Sequence, residues 1–343
     1  MTNNIHDNVK DYYGAVLESN KDLKTSACCT TESLPRHIKD IINLINPEII
    51  EKYYGCGSPI PHALDDITAL DLGCGSGRDC YLLSKLVGEQ GKVFGIDMTD
   101  EQLEIARKHQ EFHKNKFGYS KSNVQFIKSY IEELTEIPDS SVDLIVSNCV
   151  INLSPNKEKV FKEILRILKP GGELYFSDVY SDKRIPKELI NDPVLLGECL
   201  SGALYTEDFR RIINKLGIKD FRIVKENYIE IHDKEIKEKL NNINFYSQTI
   251  RLFKLDLEDQ CEDYGQVASY LGGIHHSESS FILDNHHEFI KNKPMLVCGN
   301  TADMLSKTRF SKFFKLDGNK NTHFGLFDCA SKEHSDSIGN SCC

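Results

Sequence analysis

The stretch Ile-Thr-Ala-Leu-Asp-Leu-Gly-Cys-Gly-Ser-Gly-Arg-Asp (67–79) decides the fold of this chain. Its first half is a short apolar run around an aspartate, which is typical of a buried parallel strand. Its second half places glycine at positions 73, 75 and 77 and then leads into a helical pattern over 81–86. A strand, a glycine loop and a helix form the arrangement in which a nucleotide-like ligand lies against bare backbone at a helix N-terminus. A glycine loop alone is a weak signal, so the surrounding sequence must indicate what it binds.

The segments after this loop alternate between strand and helix. We predict further strands at 92–97, 123–127, 142–147 and 173–178, with helical patterns between them. This alternation implies an α/β fold with a mostly parallel sheet and crossover helices on both faces. Asp97 ends the second strand 20 residues beyond Gly77, the offset at which an acid meets the hydroxyls of a ribose. The runs 218–224 and 228–231 are our candidates for closing antiparallel strands.

Composition excludes several classes of protein. The chain has 343 residues, of which 40% are hydrophobic, and a formal net charge of −10. The negative charge argues against an extended nucleic-acid surface, and no apolar run approaches the roughly 20 residues that span a bilayer. The first residues lack the charged-then-apolar leader of a secretory signal. We therefore expect a cytoplasmic protein with two or more packed units that binds neither nucleic acid nor membrane.

The glycine loop departs from the dinucleotide-binding fingerprint, whose third glycine is spaced to accommodate a pyrophosphate. Here Asp71 precedes the first glycine by two residues, and the bulky Arg78 follows the third. The pattern Asp-x-Gly-x-Gly-x-Gly, with Asp97 ending the second strand, resembles the S-adenosylmethionine (SAM) site of class I methyltransferases. SAM carries a cationic sulfonium and an amino-acid moiety in place of a pyrophosphate, and these groups suit acidic surroundings. A nicotinamide site, the alternative, calls for the other glycine spacing.

Twelve cysteines are many for this chain, and the missing leader favours reduced thiols over a disulfide scaffold. No C-x-x-C pair occurs, which weakens a zinc interpretation. Cys149 follows the fourth predicted strand, at the sheet edge where ligands bind, and Cys199 lies in the insertion after the fifth. Cys149 alone fits a buried structural role. Two or more thiols converging beside a methyl donor would instead indicate a soft, thiophilic acceptor.

Five motifs together resemble the arsenite methyltransferase family. They are Tyr-Tyr-Gly-Cys-Gly (53–57), Asp-Leu-Gly-Cys-Gly-Ser-Gly-Arg-Asp-Cys-Tyr (71–81), Ser-Asn-Cys-Val-Ile-Asn-Leu (147–153), Gly-Glu-Leu-Tyr-Phe-Ser-Asp-Val-Tyr (172–180) and Gly-Glu-Cys-Leu-x-Gly-Ala-Leu-Tyr (197–205). The likeness covers most of residues 11–255 and departs at Ser201, where the family pattern has glycine. It implies a Rossmann-like class I methyltransferase with a seven-stranded, mostly parallel sheet, an added arsenic-binding region and a small C-terminal domain.

The resemblance also assigns site residues. It implies that Cys149 and Cys199 bind As(III), with Cys56 as third ligand and with Cys28 or Cys29 as its redox partner. It further implies a SAM site built from Asp71, Gly73, Gly75, Gly77, Arg78, Asp97, Met98, Ile131, Glu132 and Asn148. The doubled Cys28-Cys29 leaves the partner of Cys56 open.

The implied chemistry is methylation of thiolate-bound As(III), for arsenic detoxification. Family likeness implies that cysteine electrons reverse the formal oxidation of arsenic, leaving a disulfide for thioredoxin or glutathione to reduce. We expect a monomer whose domains are 1–65, 66–180, 181–255 and 256–343, the last ending in a disordered Cys342-Cys343 tail. Two alternatives remain open: a SAM methyltransferase for a small carbon or nitrogen acceptor, and a non-catalytic thiol-rich protein that binds a metalloid.

Overall fold

A computed structural model of the chain describes residues 34–53, 59–190, 192, 195, 200–240 and 242–328. The first two helices within the described ranges are α1 (Arg36–Ile42) and α2 (Pro47–Glu51). The sheet then begins with β1 (Thr68–Leu72), which the glycine loop joins to α3 (Arg78–Val87). Gly77 caps that helix in the left-handed conformation.

The next elements repeat the strand–helix pattern. They are β2 (Lys92–Asp97), α4 (Asp100–Lys108), α5 (Gln110–Phe117), β3 (Val124–Lys128), β4 (Val142–Asn148), α6 (Lys157–Ile167) and β5 (Leu168–Ser181). The chain continues through β6 (Leu204–Tyr205), α7 (Thr206–Lys215), β7 (Arg222–Ile229), α8 (Lys234–Leu240) and β8 (Phe245–Phe253).

These strands form one sheet in the order β3-β2-β1-β4-β5-β8-β7, with the two-residue β6 paired to β5. Strands β1 to β5 run parallel, whereas β8 is antiparallel to both of its neighbours. The predicted α/β class and mostly parallel sheet are thus confirmed. The chain order reverses between β1 and β4, so the carboxyl ends of these two strands border the crevice in which such sheets bind ligands.

The closing strands were predicted wrongly. The runs 218–224 and 228–231 were expected to be two strands, but β7 is a single strand through Glu226 and Asn227. The second closing strand is β8, which the sequence did not indicate because Ser247, Gln248 and Thr249 interrupt its apolar residues. The hydroxyl groups of Thr249 and Ser177 on β5 are hydrogen-bonded at 2.7 Å, and a side-chain amide of Gln248 donates to Glu226 on β7.

Two hydrophobic cores cover the two faces of the sheet. Successive residues of β1 point to opposite faces, so Leu70 and Leu72 join one core and Ala69 the other. Helix α6 contributes Val160 and Ile164 to the first core. The parallel strands are therefore buried on both sides, which explains their nearly continuous apolar sequences.

The C-terminal region is a separate layer with its own hydrophobic cluster. It contains β9 (Glu262–Asp263), β10 (Gln266–Tyr270), β11 (Ser280–Ile282), β12 (Glu288–Ile290), β13 (Pro294–Val297), α9 (Gly299–Ser306), β14 (Phe314–Asp317) and β15 (Gly325–Leu326). Buried charges join this layer to the sheet, because Arg251 on β8 and Arg309 both pair with the fully buried Glu173 on β5. The predicted domain boundaries remain predictions, and the Cys342-Cys343 tail lies outside the described residues.

No helix in the described part of the chain combines the length and apolar character that crossing a membrane requires.

Candidate active site

An open cavity of about 1050 Å³ lies at the carboxyl ends of β1, β2 and β4. Its wall includes nine of the predicted site residues: Asp71, Gly73, Gly75, Asp97, Met98, Ile131, Glu132, Asn148 and Cys149. These residues come from four separate stretches of sequence. Their convergence at one sheet edge follows from the parallel strand order, since parallel strands deliver their carboxyl ends to the same side.

The glycine loop forms the floor of the cavity. Gly73, Gly75 and Gly77 have φ angles of 70°, 51° and 90°, a region that residues other than glycine rarely adopt. A Cβ at Gly73 would also lie 2.5 Å from a methyl carbon of Val150. Glycine is therefore required both by the backbone conformation and by the turn after β4, which packs against the loop.

Asp97 ties the tip of β2 to this loop. One carboxylate oxygen accepts a hydrogen bond from the Gly75 backbone N–H at 2.9 Å, and the other accepts from Thr99 N–H at 2.8 Å. Burial raises the pKa of Asp97 above its ordinary value, and these backbone donors oppose that effect. The carboxylate thus shapes the loop while it lines the cavity.

Four carboxylate residues line this cavity, and three of them, Asp71, Asp79 and Asp97, are aspartates. Burial, followed by the charge of Asp79, raises the pKa of Asp71 well above the usual range for an aspartate. Negative charge is therefore crowded at this floor, and a cationic ligand would relieve the crowding. The positively charged sulfonium and ammonium groups of SAM fit these acidic surroundings. Because glycines have no Cβ, the loop also lets the amino-acid moiety of SAM approach its backbone closely.

Tyr53 completes this side of the cavity, although its role was missed at the sequence level. Its hydroxyl accepts a hydrogen bond from the Asn148 side-chain amide, and its ring lies 3.3 Å from the guanidinium carbon of Arg78. Arg78 is paired with Asp79 at 2.7 Å, and neither Arg78 nor Gly77 is among the residues that line the cavity. Arg78 therefore supports two wall residues, Tyr53 and Asp79.

Glu132 lines the cavity together with Met98 and Ile131. It is buried, and its carboxylate accepts a hydrogen bond from the hydroxyl of Ser154, which also lines the cavity. Thr99, Gln102, Ser129 and Tyr130 are further wall residues that the motifs did not indicate. A mixed polar and apolar wall of this kind suits the adenosine end of SAM.

Cys149 occupies a strained position directly after β4. It is buried, it lines the cavity, and its φ of 57° is unusual for a residue with a side chain. Its backbone N–H donates to the Ser177 carbonyl at 2.9 Å, which anchors the turn to β5. The sulfur takes part in a disulfide, whereas Cys74, Cys80 and Cys298 are free thiols.

The turn that follows Cys149 is pinned by Asn152 and Asp178. The Asn152 backbone N–H donates to the Asp178 carboxylate at 3.0 Å, and the Asn152 side-chain amide donates to the Val179 carbonyl. Burial raises the pKa of Asp178 to about 6. The Asn152 carbonyl in turn lies against the Cα of Gly202, where any Cβ would overlap the carbonyl oxygen. The segment directly after Cys199 thus packs onto the turn that holds Cys149.

Comparison with known proteins assigns the family. The model of a methyltransferase domain matches residues 64–217, and that of the arsenite methyltransferase C-terminal domain matches 264–341. An arsenite methyltransferase of Aquipseudomonas alcaligenes is 51% identical over 94% of both chains, and the Homo sapiens one is 44% identical over 90% of this chain and 83% of its own. The crystal structure of CrArsM, an arsenic(III) SAM methyltransferase from Chlamydomonas reinhardtii, matches with a TM-score of 0.84 at 48% identity, covering 86% of this chain and all of that one.

This chain belongs to the arsenite methyltransferase family. The resemblance inferred from the five motifs is therefore confirmed, and so is the placement in the SAM-dependent methyltransferase superfamily. SAM is accordingly the methyl donor.

The structure brings together only part of the cysteine set that this arsenite methyltransferase was predicted to use. Cys149 is in the cavity wall, whereas Cys28, Cys29, Cys56 and Cys199 lie outside the described residues. The expectation of reduced thiols holds for Cys74, Cys80 and Cys298 but not for Cys149 and Cys261, each of which takes part in a disulfide. Within the described ranges, no group of three or more His, Cys, Asp or Glu side chains is arranged to hold a metal ion.

Proposed function

We propose that this chain transfers a methyl group from SAM to trivalent arsenic held by the Cys149 thiolate, yielding methyl- and dimethylarsenicals for arsenic detoxification. The observation that carries the proposal is that Cys149 and the glycine loop line one cavity. A soft thiolate is the ligand that trivalent arsenic prefers, and Cys149 stands where this fold presents its acceptor.

The donor side rests on residues of the cavity floor. SAM, when bound, supplies an electrophilic methyl group. Gly73 and Gly75 leave room for its amino-acid moiety, while the carboxylates of Asp71 and Asp97 supply negative charge and hydrogen-bond acceptors. Met98, Ile131 and Glu132 form the wall for the adenosine end, and Asn148 links that wall to Tyr53. Arg78 and Gly77 act as positioning residues.

The acceptor side rests on the strained turn at Cys149. Arsenic bound by thiolates keeps its lone pair and carries no proton, so the site needs no general base. Its main task is to hold the arsenic in a fixed orientation, and fixed geometry can supply a large part of a rate enhancement. The hydrogen bonds of Asn152 and Asp178 supply that rigidity. We assign Cys199 and Cys56 as the further arsenic ligands, and Cys28 or Cys29 as the redox partner.

Reduction is a required step in this proposal. Cys149 takes part in a disulfide in the structure and must be reduced before its sulfur can bind arsenic. Two reducing equivalents from thioredoxin or glutathione convert the disulfide into two thiols. This requirement favours the cytoplasm, where such reductants are kept. A monomeric state remains our prediction.

The test incubates the purified full chain with SAM, arsenite and a thiol reductant, and separates the arsenic species by chromatography with elemental detection. Cys149→Ser and Cys199→Ser should each abolish methylated arsenic. Cys298→Ser is the matched control, because that cysteine is also buried and hydrogen-bonded but lies at the start of α9 in the C-terminal layer.

Each alternative predicts a different result in this assay. An acceptor of carbon or nitrogen would leave arsenite unmethylated while SAM still binds. A non-catalytic metalloid-binding protein would bind arsenic stoichiometrically and consume no SAM. Either result would overturn the proposed function.

A further inference from the structure

Two free thiols outside the proposed catalytic set meet beneath the glycine loop. Cys74 lies in the loop and lines the cavity, while Cys80 lies in the first turns of α3 and is fully buried. Neither thiol has a part in the proposed methyl transfer.

The two sulfur atoms converge on one point of β2. A Cβ built on Gly95 would lie 2.7 Å from the Cys80 sulfur and 2.9 Å from the Cys74 sulfur, so both atoms fill the space that this glycine leaves free. Each thiol influences the pKa of the other, so the two side chains lie close together. Cys80 also contacts an Asp71 carboxylate oxygen at 3.5 Å, and Cys74 contacts the Gly75 carbonyl at 3.8 Å.

We propose that the Cys74–Cys80 pair is a second binding site for trivalent arsenic, separate from Cys149. The proposal rests on the proposed function in one respect, namely that arsenite reaches this cavity. Adjacent thiols suit a soft trivalent ion because one ion can bond to both sulfur atoms at once. Cys74 provides the entry, since it faces the cavity in which arsenite would be delivered.

The chemistry balances without a redox change. Two As–OH bonds of arsenous acid and two S–H bonds break, two As–S bonds form, and two water molecules leave with the thiol protons. Burial raises the pKa of Cys74 to about 11 and that of Cys80 well above its ordinary value, so both are neutral thiols at physiological pH. Neutral thiols suffice, because each departing hydroxide takes up a proton.

Occupancy of this site would exclude SAM. Cys74 lies between Gly73 and Gly75, and Asp97 holds the Gly75 N–H in place. A bond from arsenic to the Cys74 sulfur would pull on the loop that forms the SAM floor. Arsenic at the thiol pair and ligand at the SAM site should therefore compete.

The experiment counts arsenic bound to the reduced full chain by equilibrium dialysis against arsenite, with and without S-adenosylhomocysteine. Cys80→Ser keeps a hydroxyl to donate to Asp71 but removes a soft ligand. The Cys80→Ser variant should bind one arsenic atom fewer per chain than the unmodified protein. S-adenosylhomocysteine should likewise reduce the arsenic bound by the unmodified protein by one atom per chain. Cys298→Ser should change nothing, because this buried cysteine is in no disulfide, lies at the start of α9 and is not among the residues that line the cavity.

Equal stoichiometry in Cys80→Ser and the unmodified protein would overturn the inference, as would an equivalent that survives saturating S-adenosylhomocysteine. Circular dichroism checks folding, and Cys74→Ser replaces Cys80→Ser if the latter fails to fold. Failure of the proposed function appears separately, as absent methylation in the chromatographic assay.

Discussion

Gly202 offers the sharpest test of how the two cysteine-bearing segments are held together. A Cβ at Gly202 would overlap the Asn152 carbonyl oxygen and lie 3.0 Å from the carbonyl carbon. Carbon atoms in contact prefer about 3.5–4.0 Å, so Gly202→Ala must separate the segments by roughly 0.5–1 Å. Asn152 cannot yield freely, because Asp178 and the Val179 carbonyl hold it.

The expected consequence is a loss of arsenic methylation. A displacement of this size at a reacting centre costs about 10²-fold in rate, and overpacking costs about 1–3 kcal/mol in stability. We therefore predict that Gly202→Ala methylates arsenite about 100-fold more slowly while its SAM affinity is retained. The assays are chromatography of the arsenic products and calorimetric titration with S-adenosylhomocysteine.

Gly217 provides a matched control in the same part of the chain. It is exposed, its φ is 91°, and a Cβ added there meets nothing within 4 Å. Gly217→Ala should lower the free energy of unfolding by about 1–2 kcal/mol, because alanine disfavours the left-handed backbone conformation. It should leave the methylation rate nearly unchanged. A Gly202→Ala protein that folds and methylates within twofold of the Gly217→Ala protein would refute the argument.

Three further predictions concern single side chains. Asp97→Ala should weaken SAM binding about 10- to 100-fold in calorimetric titration, because charge-assisted hydrogen bonds contribute about 1.5–3 kcal/mol; an unchanged affinity would remove Asp97 from the SAM site. Asp178 has a pKa of about 6 in the folded protein, above its unfolded value, so its ionisation destabilises the fold as the pH rises from about 4 to about 6. The free energy of unfolding of Asp178→Asn, measured relative to the parent by urea denaturation, should therefore rise by about 3 kcal/mol between pH 4 and pH 7. A difference between the two proteins that does not depend on pH would contradict this assignment. Ser201 is buried, and its hydroxyl has no hydrogen-bond partner among the described residues. Ser201→Ala should therefore raise the free energy of unfolding by about 1 kcal/mol. A lower free energy of unfolding would contradict this prediction.

The sequence predicted the parallel half of the sheet because its strands are buried on both faces. Such strands appear as apolar runs, and β1, β2 and β4 end in residues whose chemistry is visible in the motif: Asp71 near the end of β1, Asp97 on β2 and Asn148 on β4. Their meeting at one edge follows from topology alone.

The antiparallel half was not predictable in the same way. The polar residues in the middle of β8 form hydrogen bonds with residues of β5 and β7. The local sequence of a strand does not reveal which strands it will pair with. Tyr53 was missed for a similar reason, since its partner Asn148 is 95 residues away in the chain. Family likeness assigned Arg78 to the SAM site, and the structure adds its contacts with the wall residues Tyr53 and Asp79, which the sequence did not indicate.

The most direct test of the central claim is diffraction from crystals of the reduced protein with arsenite, collected across the arsenic absorption edge. The account predicts an anomalous peak within bonding distance of the Cys149 sulfur, on the side that faces the glycine loop. Cys149→Ser crystals treated identically should lack this peak. Arsenic bound elsewhere in the reduced protein, with Cys149 left as a bare thiol, would contradict the account.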